Sequence, residues 1–569
     1  MCAIAGVTAP DKGLVERMNA LMAHRGPDDT GVFFDHQVAL GHNRLSIIDL
    51  TPGGHQPMAA GELQITFNGE IYNYRELREG LKKAGEQFVS ESDTEVIVRG
   101  YAREGVAFFN KLRGMWAFAI YDPKAGKLVL SRDAFGIKPL YYYQKGKQFA
   151  FASELRGLRP VLELFGHTDN VLAHHLYFLF GYIPAPHSPF VEVKKVLPGE
   201  VLIYDLATQT LAHSKLVPEV ADTPRTLDEA LGDSVRAHFV ADVPVCLFYS
   251  GGIDSTLLLA KARELGFNPE PFFLHIPNRL DNEYAVAAAK ELGVKITSFD
   301  FSPKQALEPF LSLRESLDEP FADTSYIPTE YLSEQVARTH KVVLSGEGGD
   351  EFFGGYHRHN HLLGLQKGMR LVPEALVARL PARLRRAAES KINRDPYAAY
   401  LEFVRVDEGL VSRTEALEFL HERVAARDEL GLAFDQEVYL PDDLLFKIDR
   451  AGMRHGLEGR VPFLDTQFFA AARQHSARER HGGSPSGKGM LKDLLRNYLP
   501  EQLVERPKQG FSISLAVLKD VPQEVKQEAL AYAQQHAELI PLDPAQALQH
   551  PQSAYALLIW TAWHKNFFK

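Results

Sequence analysis

Cysteine is scarce in this chain: two occur in 569 residues, Cys2 and Cys246. Two cysteines so far apart make neither a disulfide framework nor a zinc-ligand spacing, and they suit a reducing cytoplasm. No strongly apolar run is long enough to span a bilayer, and the first residues lack the basic-then-apolar pattern of a secretory signal. A surplus of positive charge is missing as well. Lysine and arginine number 63 against 73 acidic residues, a net charge of -10, so there is no electrostatic reason to expect nucleic acid or a membrane as a partner. Small molecules are the expected partners. Internal repeats and low-complexity tracts are absent, and at 45% hydrophobic and 24% charged the composition is that of ordinary globular protein. The length allows about two to four domains.

What is present divides into two textures. Up to about residue 205, short alternating runs are broken by glycine, proline and aspartate. The stretches 63–74, 115–122, 127–133, 140–154 and 199–205 read as strands bounded by turns, and 14–25 and 74–84 read as helices. That mixture predicts stacked antiparallel sheets with helical layers outside. After the turn-rich stretch 206–224, apolar runs alternate with amphipathic helices: strands at 243–249, 271–276, 295–301 and 340–346, helices at 254–265 and 282–292. This alternation predicts a parallel sheet, whose ligands gather at the carboxyl ends of its strands. The remainder reads as mostly helical, with the basic run LPARLRRAAESKINR at 380–394 a solvated helix face. The expected domains are 1–205, an α+β unit, and 206–569, an α/β unit with helical additions.

The sharpest local signal is VPVCLFYSGGIDST at 243–256. A buried strand ends, two glycines allow a tight turn, and a helix begins. Free backbone N–H groups and a helix N-terminus then face one small volume, which is an anion site. The Gly-Lys-Ser/Thr ending of a Walker loop is absent. Ser250 and Ser255 can donate to phosphate oxygens, whereas Asp254 needs a cation between itself and a phosphate, and Mg2+ binds in that way. Two glycines after a strand also make turns that bind nothing, but a second loop, LSGEGGDEFFGGY at 344–356, follows another apolar strand. Side by side, the loops would let Asp254 and Asp350 hold the metal from both sides. Downstream, 444–465 and 487–500 supply Lys447, Arg450, Arg460, Lys488 and Lys492, cations suited to the charge on a leaving pyrophosphate. Sequence does not say which of them converge.

SGGIDS, SGEGGDE and RVPFLD together resemble the synthetase domain of glutamine-dependent asparagine synthetases, an ATP-pyrophosphatase fold. The first half resembles class II glutamine amidotransferases, which are N-terminal-nucleophile αββα sandwiches. The residues carrying that likeness are MCAIAG, HRGPDD (24–29), GHNRLSIIDL (41–50), QPM (56–58), FNGEIYN (67–73), ESDTEV (91–96), LRGMWAFAIYD (112–122) and RDAFGIKPLYY (132–142). The motifs run in one order through about residues 1–515.

The resemblance implies that, once Met1 is removed, Cys2 attacks the side-chain amide of glutamine, with its own α-amine, of pKa about 8, as the base. It implies that Arg44 clamps the glutamine carboxylate, Asp93 receives the amino group, Glu70 assists, and Asn68 with the Gly69 N–H forms an oxyanion hole. An Asn-Gly pair between strands is otherwise a hairpin turn. In the second half it implies that ATP activates a carboxylate as an acyl-adenylate, which ammonia then attacks. Adenine would lie against Phe248, with Leu274 close by. Ser250, Gly251, Gly252, Asp254 and Ser255 would cradle pyrophosphate, and Ser345 and Gly346 would border the nucleoside. Lys488 would contact phosphate, Glu347 would take a proton from the incoming ammonia, and Asp254 and Asp350 would hold Mg2+. Two separate sites require a sealed apolar passage between them.

The acceptor is the open point. DEPFADTSYIP (318–328) either lines its pocket or uses its acids to hold structure, and L-aspartate is favoured as acceptor, followed by a carboxylated sugar such as a uronic acid, or a peptide precursor. A non-catalytic sensor of glutamine or nucleotide is the reading from another class. Intact Cys2, Arg44, Asp254, Glu347 and Lys488 speak against it, because a pure binder needs no nucleophile, metal ligand and base together. A homodimer is common in the family. The tail at 553–568 reads as a packing helix, and Cys246, inside a strand, as buried and inert.

Overall fold

Residues two apart along a strand share a face, so alternating runs serve two different cores at once. The computed structural model describes residues 2–220, 225–277, 279, 281–302, 306–360, 400–401, 404, 413–424, 431–483, 486–505 and 514–569. Its first strands are β1 (Ala3–Val7), β2 (Asp29–Phe34), β3 (Ala39–Arg44), β4 (Met58–Ala60), β5 (Leu63–Ile71) and β6 (Gly114–Asp122). They are followed by β7 (Lys127–Arg132), β8 (Tyr141–Lys145), β9 (Gln148–Ala152), β10 (Val193–Lys195), β11 (Glu200–Asp205) and β12 (Leu211–Lys215). Among the described residues these form two six-stranded antiparallel sheets, β10-β8-β9-β1-β3-β2 and β12-β11-β7-β6-β5-β4. Ile4, Leu40 and Phe151 of the first meet Ala117, Leu130 and Leu202 of the second in one buried cluster. The outward neighbours Ala3 and Ala5 pack instead under Leu14, Val15 and Met18 of helix Lys12–Leu21. On the far side, Trp116 and Phe118 pack with Val96 and Ile97 of helix Asp93–Glu104. The layers are therefore helix, sheet, sheet, helix.

Two details refine the sequence reading. The run 140–154 is a hairpin, β8 and β9, with Lys145 opposite Gln148 and Gly146 in the left-handed region at φ 56. Asn68-Gly69 is no turn: it lies inside β5, opposite Ala117 and Trp116 of β6.

The parallel sheet consists of β13 (Val245–Phe248), β14 (Pro271–His275), β15 (Thr297–Asp300), β16 (Val342–Leu344) and β17 (Glu458–Arg460), in the order β15-β14-β13-β16-β17. The chain proceeds from β13 to β14 and β15 on one side, then returns to add β16 and β17 on the other. A topological switch point thus lies between β13 and β16, where an open sheet leaves a crevice outside its carboxyl ends. Cys246, in β13, is fully buried, and its thiol donates to the Val342 carbonyl at 3.3 Å.

Helix Pro551–Asn566 is buried from Ser553 to Trp563. Its aromatics are core: Trp563 Nε1 donates to the Asp318 carbonyl (3.1 Å), and Trp560 Nε1 to Nδ1 of His174 (3.1 Å). The basic run 380–394 lies outside the described residues. Among the described residues, no helix is long and apolar enough to cross a membrane.

Candidate functional site

Pairing of Ala3 with Asn43 in the first sheet sets Cys2 beside the end of β3, against β5 of the second sheet. The Cys2 main-chain N–H donates to Oδ1 of Asn68 at 3.0 Å, and its thiol lies 4.0 Å from the Leu45 carbonyl oxygen. Burial pushes the thiol pKa up. Asn68 is fully buried, and with Oδ1 engaged its Nδ2 has no hydrogen-bond partner among the described residues. Leaving a buried donor unmatched costs about 1–3 kcal/mol, and this amide has a hydrogen bond left to give. Gly69 follows at φ 154, and a Cβ there would lie 2.1 Å from the Met115 carbonyl oxygen. Only glycine fits that approach of β5 to β6.

Three ionisable groups surround this point. Asp93 opens a helix capped by Ser92, whose Oγ accepts the Thr94 N–H, and its Oδ2 accepts the Ile71 N–H at 2.9 Å. Burial pushes the Asp93 carboxyl up to about 6, with the Ile71 and Thr94 N–H groups opposing the shift. Burial, and then the neighbouring Glu458, raise Glu70 well above the usual carboxylate range. Its Oε1 lies 3.5 Å from Arg460 Nη2, and its Oε2 has no hydrogen-bond partner among the described residues. Arg44 ends β3 and is held by the loop that follows, donating to the carbonyls of Thr51 (2.9 Å) and Asp49.

The second centre is a cleft of about 440 Å³ at the switch point of the parallel sheet. Phe248 and Leu274 form part of its wall at the ends of β13 and β14, and Ser250, Gly252, Asp254 and Ser255 line it from the turn that follows. The Gly252 N–H donates to Ser250 Oγ (3.1 Å), which is 3.1 Å from Ser255 Oγ, and helix Ile253–Glu264 starts there. Gly251 is not in the wall. At φ 68 it makes the turn, and its Cα faces so close to Ala285 that a Cβ would lie 2.5 Å away. Ser345, Gly346, Glu347 and Asp350 line the cleft from the loop after β16. The two loops touch: a Cβ on Gly349 would lie 2.4 Å from Asp254 Oδ1. Burial raises the Glu347 carboxyl, against the pull of Lys447.

The Lys488 ammonium contacts Asp254 and lies 2.8 Å from Asp350 Oδ1. Burial disfavours its charge, but the two carboxylates together raise its pKa. In the structure the ammonium fills the position between the two carboxylates, which as hard oxygen donors also suit Mg2+. Of the other cations, Lys447 lines the cleft, 3.1 Å from Asp323 Oδ2 and 2.8 Å from Ser325 Oγ. Lys492 is turned to Ser486 and Glu505, both at 2.7 Å. Arg450 and Arg460 leave the cleft and face the antiparallel sheets, towards Asp318 and Glu70.

Sequence reasoning overlooked several neighbours. Tyr356 and Glu351 line the cleft and are hydrogen-bonded to each other, with Glu351 raised to about 7 by burial and then by Asp350. Arg25 of HRGPDD bonds the Cys2 carbonyl. Its place inside the HRGPDD motif was the available signal for it.

Another group in metal-binding range, Asp169, His174 and His564, does not suit a metal. The indole N–H of Trp560 can only donate, so Nδ1 of His174 accepts, and Nε2, the nitrogen facing Asp169, carries the proton.

Comparison with known proteins matches residues 1–214 to the glutamine amidotransferase domain family and residues 226–565 to the asparagine synthase family. The chain is 30% identical to glutamine-hydrolyzing asparagine synthetase 1 of Bacillus subtilis, over 99% of this chain and 96% of that protein. It is 28% identical to glutamine-hydrolyzing asparagine synthetase 3 of the same organism, over 90% and 87%. It is 27% identical to glutamine-hydrolyzing asparagine synthetase B of Escherichia coli, over 90% of this chain and 82% of the relative.

Proposed function

The chain belongs to the family of glutamine-hydrolysing asparagine synthetases, and from that premise we propose that it converts L-aspartate to L-asparagine, with release of AMP and pyrophosphate. A reducing cytoplasm suits its two free cysteines. At the first centre, Cys2 with Met1 removed attacks the amide carbon of glutamine, while its α-amine accepts the thiol proton. The oxygen of the tetrahedral intermediate takes the hydrogen bond that Asn68 Nδ2 has to give, together with the Gly69 N–H. Ammonia leaves, and water releases glutamate from the thioester. Arg44 and Asp93 receive the carboxylate and ammonium of the substrate, and Glu70 supports them.

At the second centre, the aspartate side-chain carboxylate attacks the α-phosphorus of ATP, the bond to the β-phosphate breaks, and pyrophosphate leaves. The turn from Ser250 to Ser255 and Lys488 receive the departing charge. Asp254 and Asp350 would hold Mg2+, which neutralises phosphate charge when bound. Ammonia then attacks the acyl-adenylate carbon, Glu347 takes the proton, and AMP departs. Burial raises the Glu347 pKa, and a more basic carboxylate accepts a proton from the attacking ammonia more readily.

The observation that carries this reading is the shared wall: Glu347, Lys488, Ser250, Asp254 and Ser255 line one cleft. For the acceptor, Lys447 and Asp323 offer opposite charges to the carboxylate and ammonium of an amino acid, whereas a uronic acid brings one charge only. The test is pyrophosphate release with ammonia across a panel of carboxylates. Aspartate is expected to give one asparagine per pyrophosphate. Turnover of a sugar acid in its place would overturn the acceptor, and no release with any carboxylate would overturn the ligase reading.

A further inference from the structure

Arg25 is fully buried, and each of its three nitrogens has a partner. Nε donates to the Cys2 carbonyl (3.1 Å), Nη1 to Glu154 Oε1 (2.8 Å) and Asp449 Oδ2 (2.7 Å), and Nη2 to Asp449 Oδ1 (2.9 Å). Asp449 lies on helix Leu445–Met453, 424 residues further along the chain. A two-residue step turns about 200° around a helix, so Lys447 points the other way, into the nucleotide cleft, where it holds Asp323 and Ser325.

A second connection runs alongside. Arg450 donates to Asp449 Oδ2 (2.7 Å) and Asp318 Oδ2 (2.9 Å), and Asp318 accepts the main-chain N–H groups of Leu155 (2.9 Å) and Arg156 (2.6 Å). Asp318 and Asp323 belong to the same short segment. The helix therefore has one face at the cleft and another in the charged cluster that grips the Cys2 peptide, and the segment joins the same two places through Asp323 and Asp318.

We propose that Arg25 and Asp449 are positioning residues through which occupancy of the nucleotide cleft sets the placement of the Cys2 peptide, and so the affinity for glutamine. The inference rests on the two-site reading above. A phosphate or acceptor carboxylate competes with Asp323 for Lys447, which changes the restraint on helix Leu445–Met453. The Arg25–Asp449 contact is a two-pronged fork, so it passes on orientation as well as position. Its far end is the carbonyl of the nucleophile's own residue. Linkage makes the effect reciprocal: a filled cleft tightens glutamine by the same factor as glutamine tightens the cleft's ligand.

The experiment uses the full chain carrying Cys2→Ala, which binds glutamine without hydrolysing it. Calorimetry measures the glutamine Kd alone and with Mg2+, aspartate and α,β-methylene-ATP, an analogue that cannot be split between those phosphates. The expected tightening is about tenfold, within the usual range of coupling between sites. Asp449→Asn keeps the shape and leaves Arg25 with Glu154 and Arg450 with Asp318, so no arginine is stranded. In that variant the ratio is expected to fall below about twofold, with the analogue's own Kd unchanged. With Cys2 present, Asp449→Asn is expected to keep ammonia-dependent synthesis within about twofold. Arg25→Lys, which keeps charge but loses the fork, is expected to lose the ratio as well. A full ratio in Asp449→Asn overturns the proposal, and so does the absence of a ratio in the parent. Loss of analogue binding and ammonia-dependent synthesis in Asp449→Asn would show a structural role only and overturn it too. If the parent binds neither glutamine nor the analogue, the two-site reading itself falls.

Discussion

The Lys488 ammonium lies 2.8 Å from Asp350 Oδ1 and touches Asp254 as well, so one side chain ties together the two glycine loops of the cleft. Its backbone sits in the left-handed region, at φ 58, where it precedes helix Gly489–Leu495. Lys488→Ala removes the cation proposed to meet the departing phosphates. Amide synthesis from either nitrogen source is expected to fall at least about 100-fold, while glutamine hydrolysis stays within about twofold. Parallel assays of glutamate and pyrophosphate check this, and equal losses in both would refute the assignment.

Cys2→Ala is expected to abolish glutamine-dependent synthesis and leave ammonia-dependent synthesis in place. The two rates are read on one preparation. Loss of both would count against separate sites.

Asn68→Ala removes the unmatched amide donor beside Cys2. A lost oxyanion donor costs about 10²–10³ in kcat, so glutamine hydrolysis should fall by that factor, with ammonia-dependent synthesis unchanged. A rise in KM alone, with kcat intact, would make Asn68 a binding residue instead.

In the proposed role Asp93 holds the ammonium of glutamine as a carboxylate, and burial pushes that carboxyl up to about 6. As pH falls through 6 the carboxyl takes up a proton, so kcat/KM for glutamine should drop on that limb. In Asp93→Asn the limb should disappear along with tight glutamine binding. A limb that persists in the variant would assign it to another group.

Much of this was legible in the sequence, for physical reasons. The alternation in β5 and β6 marks strands because both faces are buried in different cores, and the loop after β13 is marked by glycines its backbone needs. What was hidden lies in tertiary contacts. β17 has three residues, too few for any period to show, and it is flanked by helix. Arg450 and Arg460 carry the same charge as Lys447 and Lys488, yet only the lysines face the cleft. Composition cannot distinguish the sides of a helix or strand whose partners are unknown. The Asn-Gly pair is a turn signal locally, but Gly69 answers to the Met115 carbonyl across the sheet. Gly251 likewise belongs to the turn and not to the wall.

The most direct measurement is the identity of the nucleotide product when aspartate, glutamine and Mg2+-ATP are turned over together. The account predicts AMP and pyrophosphate in equal amounts, one of each per asparagine formed. ADP and orthophosphate in that ratio would contradict it.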